Sequence, residues 1–250
     1  MQRLDLTLPT PEENLALDEA LLDQVAEDAP DGEFLRLWES PTPMVVVGRS
    51  SRIGQEVDEA ACGERNIPIL RRSSGGAAIL AGPGCLMYAV VLSYRLRPEL
   101  RDISHAHAYV LGRLAKSLQP LVGDLGTVQH AGTSDLVLAS RASTKPPLKF
   151  SGNSLRAKRT HLLYHGTLLY RCEMPLLSTC LRMPPRQPAY RAARTHADFL
   201  TNLPVARPSL IEAIDRAWPT TGEVADWPKD RVAALVAERF SDDSWNSEFR

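Results

Sequence analysis

The stretch Arg71–Val91, RRSSGGAAILAGPGCLMYAVV, decides how this 250-residue chain reads. Two arginines lead into a turn of small residues, Ser73 to Ala78, and a glycine turn, Gly82-Pro83-Gly84, separates two apolar runs of strand character. A strand that ends in basic side chains and glycines lets backbone N–H groups approach an anion closely. Arginine adds a planar donor fork that suits phosphate or carboxylate. Taken alone, these residues fit an anion cradle and a glycine hairpin with two solvated arginines equally well.

A second stretch favours the cradle. Lys149-Phe-Ser-Gly-Asn153 is followed by Arg156, Lys158 and Arg159 and then by His165-Gly-Thr-Leu-Leu169, which puts one lysine and one histidine on two strands of a hairpin. A lysine between apolar neighbours in a glycine-containing strand is unusual for a surface position. The order and spacing of RR-x-SGG, K-x-SG and HGTLL resemble the lipoate–protein ligase family, within the wider group of biotin and lipoate ligases and octanoyltransferases. Asn14-Leu-Ala-Leu-Asp-Glu-Ala-Leu-Leu22 and Val45-Val-Val-Gly-Arg49 fit the same family, and the resemblance covers roughly residues 10–203.

The resemblance implies an α+β catalytic domain over 1–203: a mixed, mainly antiparallel central sheet flanked by helices, with an acyl chain in a tunnel beneath the glycine-rich loop. Residues 204–250 are then a short C-terminal helical extension. The implied chemistry is activation of lipoate or octanoate by ATP and Mg²⁺ to an acyl-adenylate. Transfer follows to a lysine of a carrier domain, such as a glycine-cleavage H protein or a dehydrogenase E2 lipoyl domain. Both half-reactions gather negative charge, so a fixed cation where they meet lowers both barriers. By resemblance that cation is Lys149, acting on the α-phosphate and the acyl carbonyl. Arg72 and Ser74, with the backbone of Gly75, Gly76, Ala77 and Ala78, match the acyl pocket and adenylate cradle. Asp135 falls at the acidic position before the lysine strand. Gly152 and Asn153 let a nucleotide lie against backbone, and His165, Gly166 and Thr167 match the HGTLL segment.

Three departures from the ligase pattern carry alternatives. Ala77 stands where ligases have a third glycine, and Ala81-Gly82 where they have His-Asp; the Gly82-Pro-Gly84 turn looks instead like the octanoyltransferase branch. That branch works through an acyl-thioester on cysteine. Cys85, beside the expected pocket, and Cys180, a few residues before the aligned position, are the candidate nucleophiles, and neither matches the branch's own position. The 47 residues after Leu203 are fewer than the accessory domain many ligases carry, so the expectation is either a separate accessory chain or a protein that transfers the acyl group but adenylates poorly. The alternatives to a ligase are therefore a cysteine-dependent octanoyl-carrier-protein transferase and a non-catalytic relative that binds lipoyl groups or an adenylate. The proline-rich segment up to Asn202 carries Arg182, Arg186, Arg191 and Arg194, and reads as a flap facing phosphate or an acidic carrier, or as a solvated loop.

Composition narrows the class. With 44% hydrophobic residues the chain has material for one large core, and a formal net charge of −1 argues against nucleic acid as a partner. No apolar run approaches the ~20 residues that cross a bilayer, and Met1–Leu6 alternates like a strand and lacks a secretion-signal pattern. Hence no membrane partner and a cytoplasmic location are expected. The four cysteines (Cys62, Cys85, Cys172, Cys180) form no C-x-x-C pair, so free buried thiols and no protein-held metal are expected; no carboxylate pair for Mg²⁺ stands out either.

Periodicity fills in the elements. Helices are expected at 11–27, 55–66, 105–121, 174–181, about 208–217 and 228–240, and strands at 34–38, 44–48, 67–71, 77–80, 86–94, 135–139, 148–151 and 162–170. A polar loop is expected over 140–147. His105 and His107, two apart near a helix start, do not share a face as metal ligands would and read as surface or capping residues.

Overall fold

Local sequence sets the first helix. After strand β1 (Gln2–Asp5), helix α1 (Pro11–Asp28) starts at a reciprocal cap in which the Glu13 amide donates to the Thr10 hydroxyl and the Thr10 amide donates to the Glu13 carboxylate. There follow β2 (Phe34–Trp38), β3 (Met44–Val47), α2 (Ile53–Glu56), α3 (Glu59–Glu64), β4 (Ile69–Arg71), β5 (Ile79–Ala81) and β6 (Cys85–Ser93). The middle of the chain forms α4 (Ile103–Val122), β7 (Thr127–Ala131), β8 (Asp135–Ala139), β9 (Leu148–Ala157) and β10 (His161–Leu169). The last part is helical: α5 (Met174–Cys180), α6 (His196–Phe199), α7 (Arg207–Ala217), α8 (Lys229–Leu235) and α9 (Asp243–Asn246). The structure, a computed structural model, describes residues 1–141, 145–223 and 226–249, so part of the expected 140–147 loop lies outside the described residues.

The strands make a seven-stranded sheet in the order β1-β2-β6-β10-β9-β8-β7 and a three-stranded sheet in the order β4-β3-β5. β1 with β2 and β3 with β4 run parallel, and the remaining pairs antiparallel, which is the expected mixed, mainly antiparallel α+β architecture. The central strands are buried on both faces and alternate between two cores. On β6, Met87, Ala89 and Val91 face the core under α1 and the small sheet, while Leu86, Tyr88, Val90 and Leu92 face the core under α4 and α7. On β10, Leu163 and Leu169 belong to the first core, and Leu162, Tyr164 and Leu168 to the second. His165 and Thr167, in step with Leu163, therefore point between the large sheet and the α1 layer. That layer is where the site forms.

Several expectations are corrected. The helix expected over 55–66 is two short ones, because Val57 bridges to Leu181 and the Asp58 carboxylate accepts from the Ala61 amide to start α3 afresh. His107 is not a surface residue. It shares the helical face of Val110, Leu111 and Leu114, and its Nδ1 lies 2.8 Å from the Tyr164 hydroxyl. The α4 cap is Asp102, whose carboxylate accepts from the His105 amide. Strand β7 and helices α6 and α9 had no expectation. The C-terminal extension is helical, and its side chains join both cores: Leu210, Ile214 and Trp218 one, Val232, Leu235 and Phe240 the other. Among the described residues no helix is long and apolar enough to cross a membrane.

Candidate active site

The glycine-rich turn is shaped from within by Arg72. This side chain is buried, and its guanidinium donates to the Ser74 hydroxyl at 3.1 Å and to the carbonyls of Val46 (3.1 Å), Ala77 (3.1 Å) and Gly75. Burial pulls its pKa down to about 10, which leaves it charged at neutral pH. The donor fork foreseen for an anion is thus spent on the loop's own carbonyls. Ser154 donates to Gly75 O (2.8 Å) and Ser51 to Gly76 O (3.0 Å), which ties the loop to β9 and to the end of β3.

Behind the loop runs a buried polar chain. His165 Nε2 lies 2.6 Å from Ser74 Oγ, and its Nδ1 lies 3.4 Å from Asp18 Oδ2 on α1. Asp18 Oδ1 accepts from Arg36 at 2.6 Å, and Arg36 also donates to the Asn14 and Leu6 carbonyls and the Asn14 side chain. Burial alone raises the Asp18 carboxyl; Arg36 and His165 outweigh it and hold the group below its ordinary value. A carboxylate only accepts, so in the neutral ring the proton is assigned to Nδ1, and Nε2 accepts from Ser74. The direction of donation is then Arg72 to Ser74 to His165 to Asp18.

Lys149 enters from β9. Its Nζ lies 2.7 Å from Asp135 Oδ1, and the Tyr190 hydroxyl donates to Asp135 Oδ2 at 2.7 Å. The β8–β9 register shifts between Leu136 and Val137, so Lys149 pairs with Val137 while Asp135 pairs with Gly152. A Cβ on Gly152 would stand 3.0 Å from Lys149 Nζ; a glycine there gives the ammonium its room.

Two chambers meet at this lysine. A chamber under the glycine loop has the apolar walls Leu15, Val46, Ile79 and Met87, with Asp18, Arg72, Asn153, Ser154 and His165 among its polar lining. A cleft open to solvent is walled by Leu80, Leu177, Leu181, Phe199 and Leu200 and edged by Arg182, Arg186 and Arg191. Both are lined by Ala77, Ile79, Asp135, Lys149, Gly152 and Thr167. Gly76, Asn153, His165 and Gly166 join the first chamber and Ala78 the second, while Ser74 and Gly75 stand behind the lining as its supports. The proline- and arginine-rich segment folds over the second chamber as a flap, with Pro184 and Pro188 in its lining.

The structure does not bring the two candidate thiols to the site. Cys85 and Cys180 are fully buried in the core and line neither chamber; burial pushes the Cys85 thiol well above its ordinary value. Among the described residues no group of three or more His, Cys, Asp or Glu side chains is placed to hold a metal ion, and Asp135 is already shared by Lys149 and Tyr190. Two site residues escaped the sequence reading. Asp18 had a signal, a carboxylate four residues after Asn14 on an otherwise apolar helix face; Tyr190 had none beyond its place in the flap.

Three solved structures share this fold over essentially the whole chain. A bi-partite lipoate protein ligase from Thermoplasma acidophilum, studied with its E2 lipoyl domain, superposes with a TM-score of 0.80 at 20% identity, covering 100% of this chain and 96% of that one. A putative lipoate protein ligase from the same organism with bound lipoic acid gives 0.79 at 19% identity, covering 100% of both chains. A lipoate-protein ligase A bound with ATP gives 0.76 at 20% identity, covering 100% and 99%. The class is therefore that of the biotin and lipoate ligase catalytic fold. Among sequence relatives, a putative lipoate-protein ligase A from Aeropyrum pernix is 31% identical over 66% of this chain, which spans 56% of that relative's length. The octanoyltransferase LipM of Kyrpidia tusciae is 26% identical over 93% of both chains. The profile of the lipoyl protein ligase A/B catalytic domain matches residues 10–215, and the chain belongs to that family.

Proposed function

We propose that the protein is an ATP-dependent lipoate–protein ligase, which activates lipoate or octanoate to the acyl-adenylate and passes the acyl group to a lysine of a lipoyl-carrier domain. The observation that carries this reading is Lys149 at the meeting point of the chamber under the glycine loop and an arginine-edged cleft. The first chamber takes the acyl chain and the second the nucleotide. A carboxylate oxygen attacks the α-phosphorus and pyrophosphate leaves; the carrier's lysine amine then attacks the acyl carbonyl and AMP leaves. Lys149 faces the α-phosphate in the first step and the carbonyl oxygen in the second, as a positive charge with no covalent role. Asp135 fixes the ammonium, and Tyr190 holds Asp135 by its other oxygen. Mg²⁺ comes with the ATP phosphates in this proposal, since the chain offers it no cluster of its own among the described residues.

The carrier partner is supported by the Thermoplasma ligase studied with its E2 lipoyl domain, and the description of that ligase as bi-partite supports a separate accessory chain here. A cytoplasmic setting belongs to the same proposal, with four free cysteines in its support. The match to octanoyltransferase LipM along most of both chains favours a second reading, a transferase that works through a thioester. That chemistry needs a thiolate open to the donor, and all four cysteines are buried. Retention of Lys149 speaks against a non-catalytic binding protein.

The test is intact-mass spectrometry of a lipoyl domain incubated with the protein and lipoate, with and without Mg·ATP, beside Lys149→Ala. A mass gain that needs ATP and disappears in the variant supports the ligase. A gain from octanoyl-carrier protein without ATP replaces it with the transferase.

A further inference from the structure

Arg71 opens the motif on which the sequence reading turned, yet it lines neither chamber. It is completely buried, and its guanidinium donates forward to the carbonyls of Gly48 (2.7 Å) and Ser51 (2.9 Å) and backward to those of Trp245 (3.1 Å) and Asn246 (3.2 Å) in α9. The backbone of the same residue is also gripped. β4 is an edge strand, and at Arg71 its free N–H donates to Asn246 Oδ1 (2.8 Å) while its C=O accepts from the Trp245 indole (2.9 Å). Two side chains of α9 thus stand in for a neighbouring strand.

A second grip lies alongside. Arg49, at the end of β3, forms a two-pronged pair with Glu248 (2.6 and 3.1 Å), and its guanidinium carbon sits 4.4 Å from the Trp245 ring centre. The Ile53 amide, which begins α2, donates to the Phe249 carbonyl at 2.9 Å. Both gripped strand ends feed the glycine loop directly: the Arg49 amide donates to Ser74 O (2.8 Å), and the Arg72 amide to Val47 O (3.0 Å).

We propose that Trp245 and Asn246 are positioning residues, a C-terminal clasp that closes the free edge of β4 through Arg71 and so fixes the glycine-rich loop over the acyl chamber. The clasp touches neither chamber and acts only through Arg71, Arg49 and the loop they anchor. Loss of the clasp leaves the Arg71 N–H without its acceptor and the guanidinium with only its partners on the β3 side, and the loop opens locally while the two cores persist. Binding of an acyl ligand and docking of α9 then favour each other, because both draw on the same ordered loop.

The experiment is hydrogen exchange on the full chain, read at the amides of Arg49, Arg72 and Ala78, in the wild type and in Asn246→Ala, Trp245→Phe and Arg231→Gln. Arg231→Gln is the control: it removes a C-terminal ion pair to Asp23 of α1 that does not reach β4. Exchange at these three amides, which tie the loop down, is expected to rise about tenfold in Asn246→Ala and Trp245→Phe and to stay unchanged in the control. Asn246→Asp keeps the oxygen that accepts from the Arg71 amide but loses the nitrogen that donates to Phe240 O, and is expected to restore only part of the protection. Lipoate binding, followed by calorimetry, is expected to weaken in parallel with loop exchange. Unchanged loop exchange in Asn246→Ala, or an equal rise in Arg231→Gln, overturns the clasp. These readouts need no turnover, so they stand apart from the ligase reading: loop exchange that follows the clasp while no lipoate binds counts against that reading alone.

Discussion

A methyl group at Gly166 has nowhere to go: a Cβ there would stand 1.8 Å from Asn153 Oδ1. The Asn153 amide cannot step aside, since its oxygen accepts from the Tyr88 hydroxyl and its nitrogen donates to Ser134 O and Ser151 Oγ. Gly166→Ala is therefore expected to cost about 2–4 kcal/mol in urea unfolding. The double variant with Asn153→Ala should cost less than the sum of the singles, because the nearest obstacle is gone and only the Gly152 carbonyl, at 3.0 Å, still crowds the methyl. Additive costs would mean that the clash is relieved elsewhere. His107 gives a pH prediction. Burial lowers its pKa from 6.5, so below that pH the unfolded chain binds the proton more readily and folding loses stability as pH falls. His161 and His196 are shifted the same way by burial. The stability of the wild type should fall between about pH 7 and pH 5, and His107→Gln should flatten that slope; an unchanged slope would contradict the assignment. The cysteines answer to alkylation. Burial pushes Cys62 up to about 12 and Cys172 up to about 11, so native protein at pH 8 should take up iodoacetamide only as fast as it unfolds.

At the scale of elements, α1 is the support of the site. Asn14 and Asp18, one turn apart, hold Arg36 on β2 beneath the acyl chamber, and Asp18 also faces His165 on β10. Asp18→Ala strands a fully buried guanidinium, and a loss of about 3–5 kcal/mol in unfolding free energy is expected; a loss below about 1 kcal/mol would mean that the pair is solvated after all. On the same helix Glu19 and Asp23, one turn apart, take the β9–β10 hairpin through Arg156 and Lys158, and the C-terminal region through Arg239 and Arg231. Arg156 and Lys158 read in sequence as part of a basic loop. What sequence could not supply was their partners, which lie on a helix more than a hundred positions away. The same limit explains the other differences. The α1 cap was legible because Thr10 and Glu13 are three residues apart, whereas the break between α2 and α3 depends on Leu181. His107 sits at core spacing on α4, but its polar ring masked the pattern until Tyr164 appeared opposite.

For the whole molecule, the site was legible through its backbone motifs and illegible through its charges. The lysine, the glycine loop and the histidine segment do converge, as their order along the chain implied. Arg71 and Arg72, read as donors to an anion, turn out to hold the loop and the C-terminal clasp instead, because buried backbone carbonyls claim their donors first. Lys149 is the cation that both chambers share, and the central claim is that it serves an adenylate. Lipoate-dependent exchange of labelled pyrophosphate into ATP, with no carrier protein present, tests it most directly. The account predicts exchange by the wild type and its loss in Lys149→Gln with the fold intact; no exchange by a well-folded wild type that still modifies a carrier from an acyl thioester would contradict it.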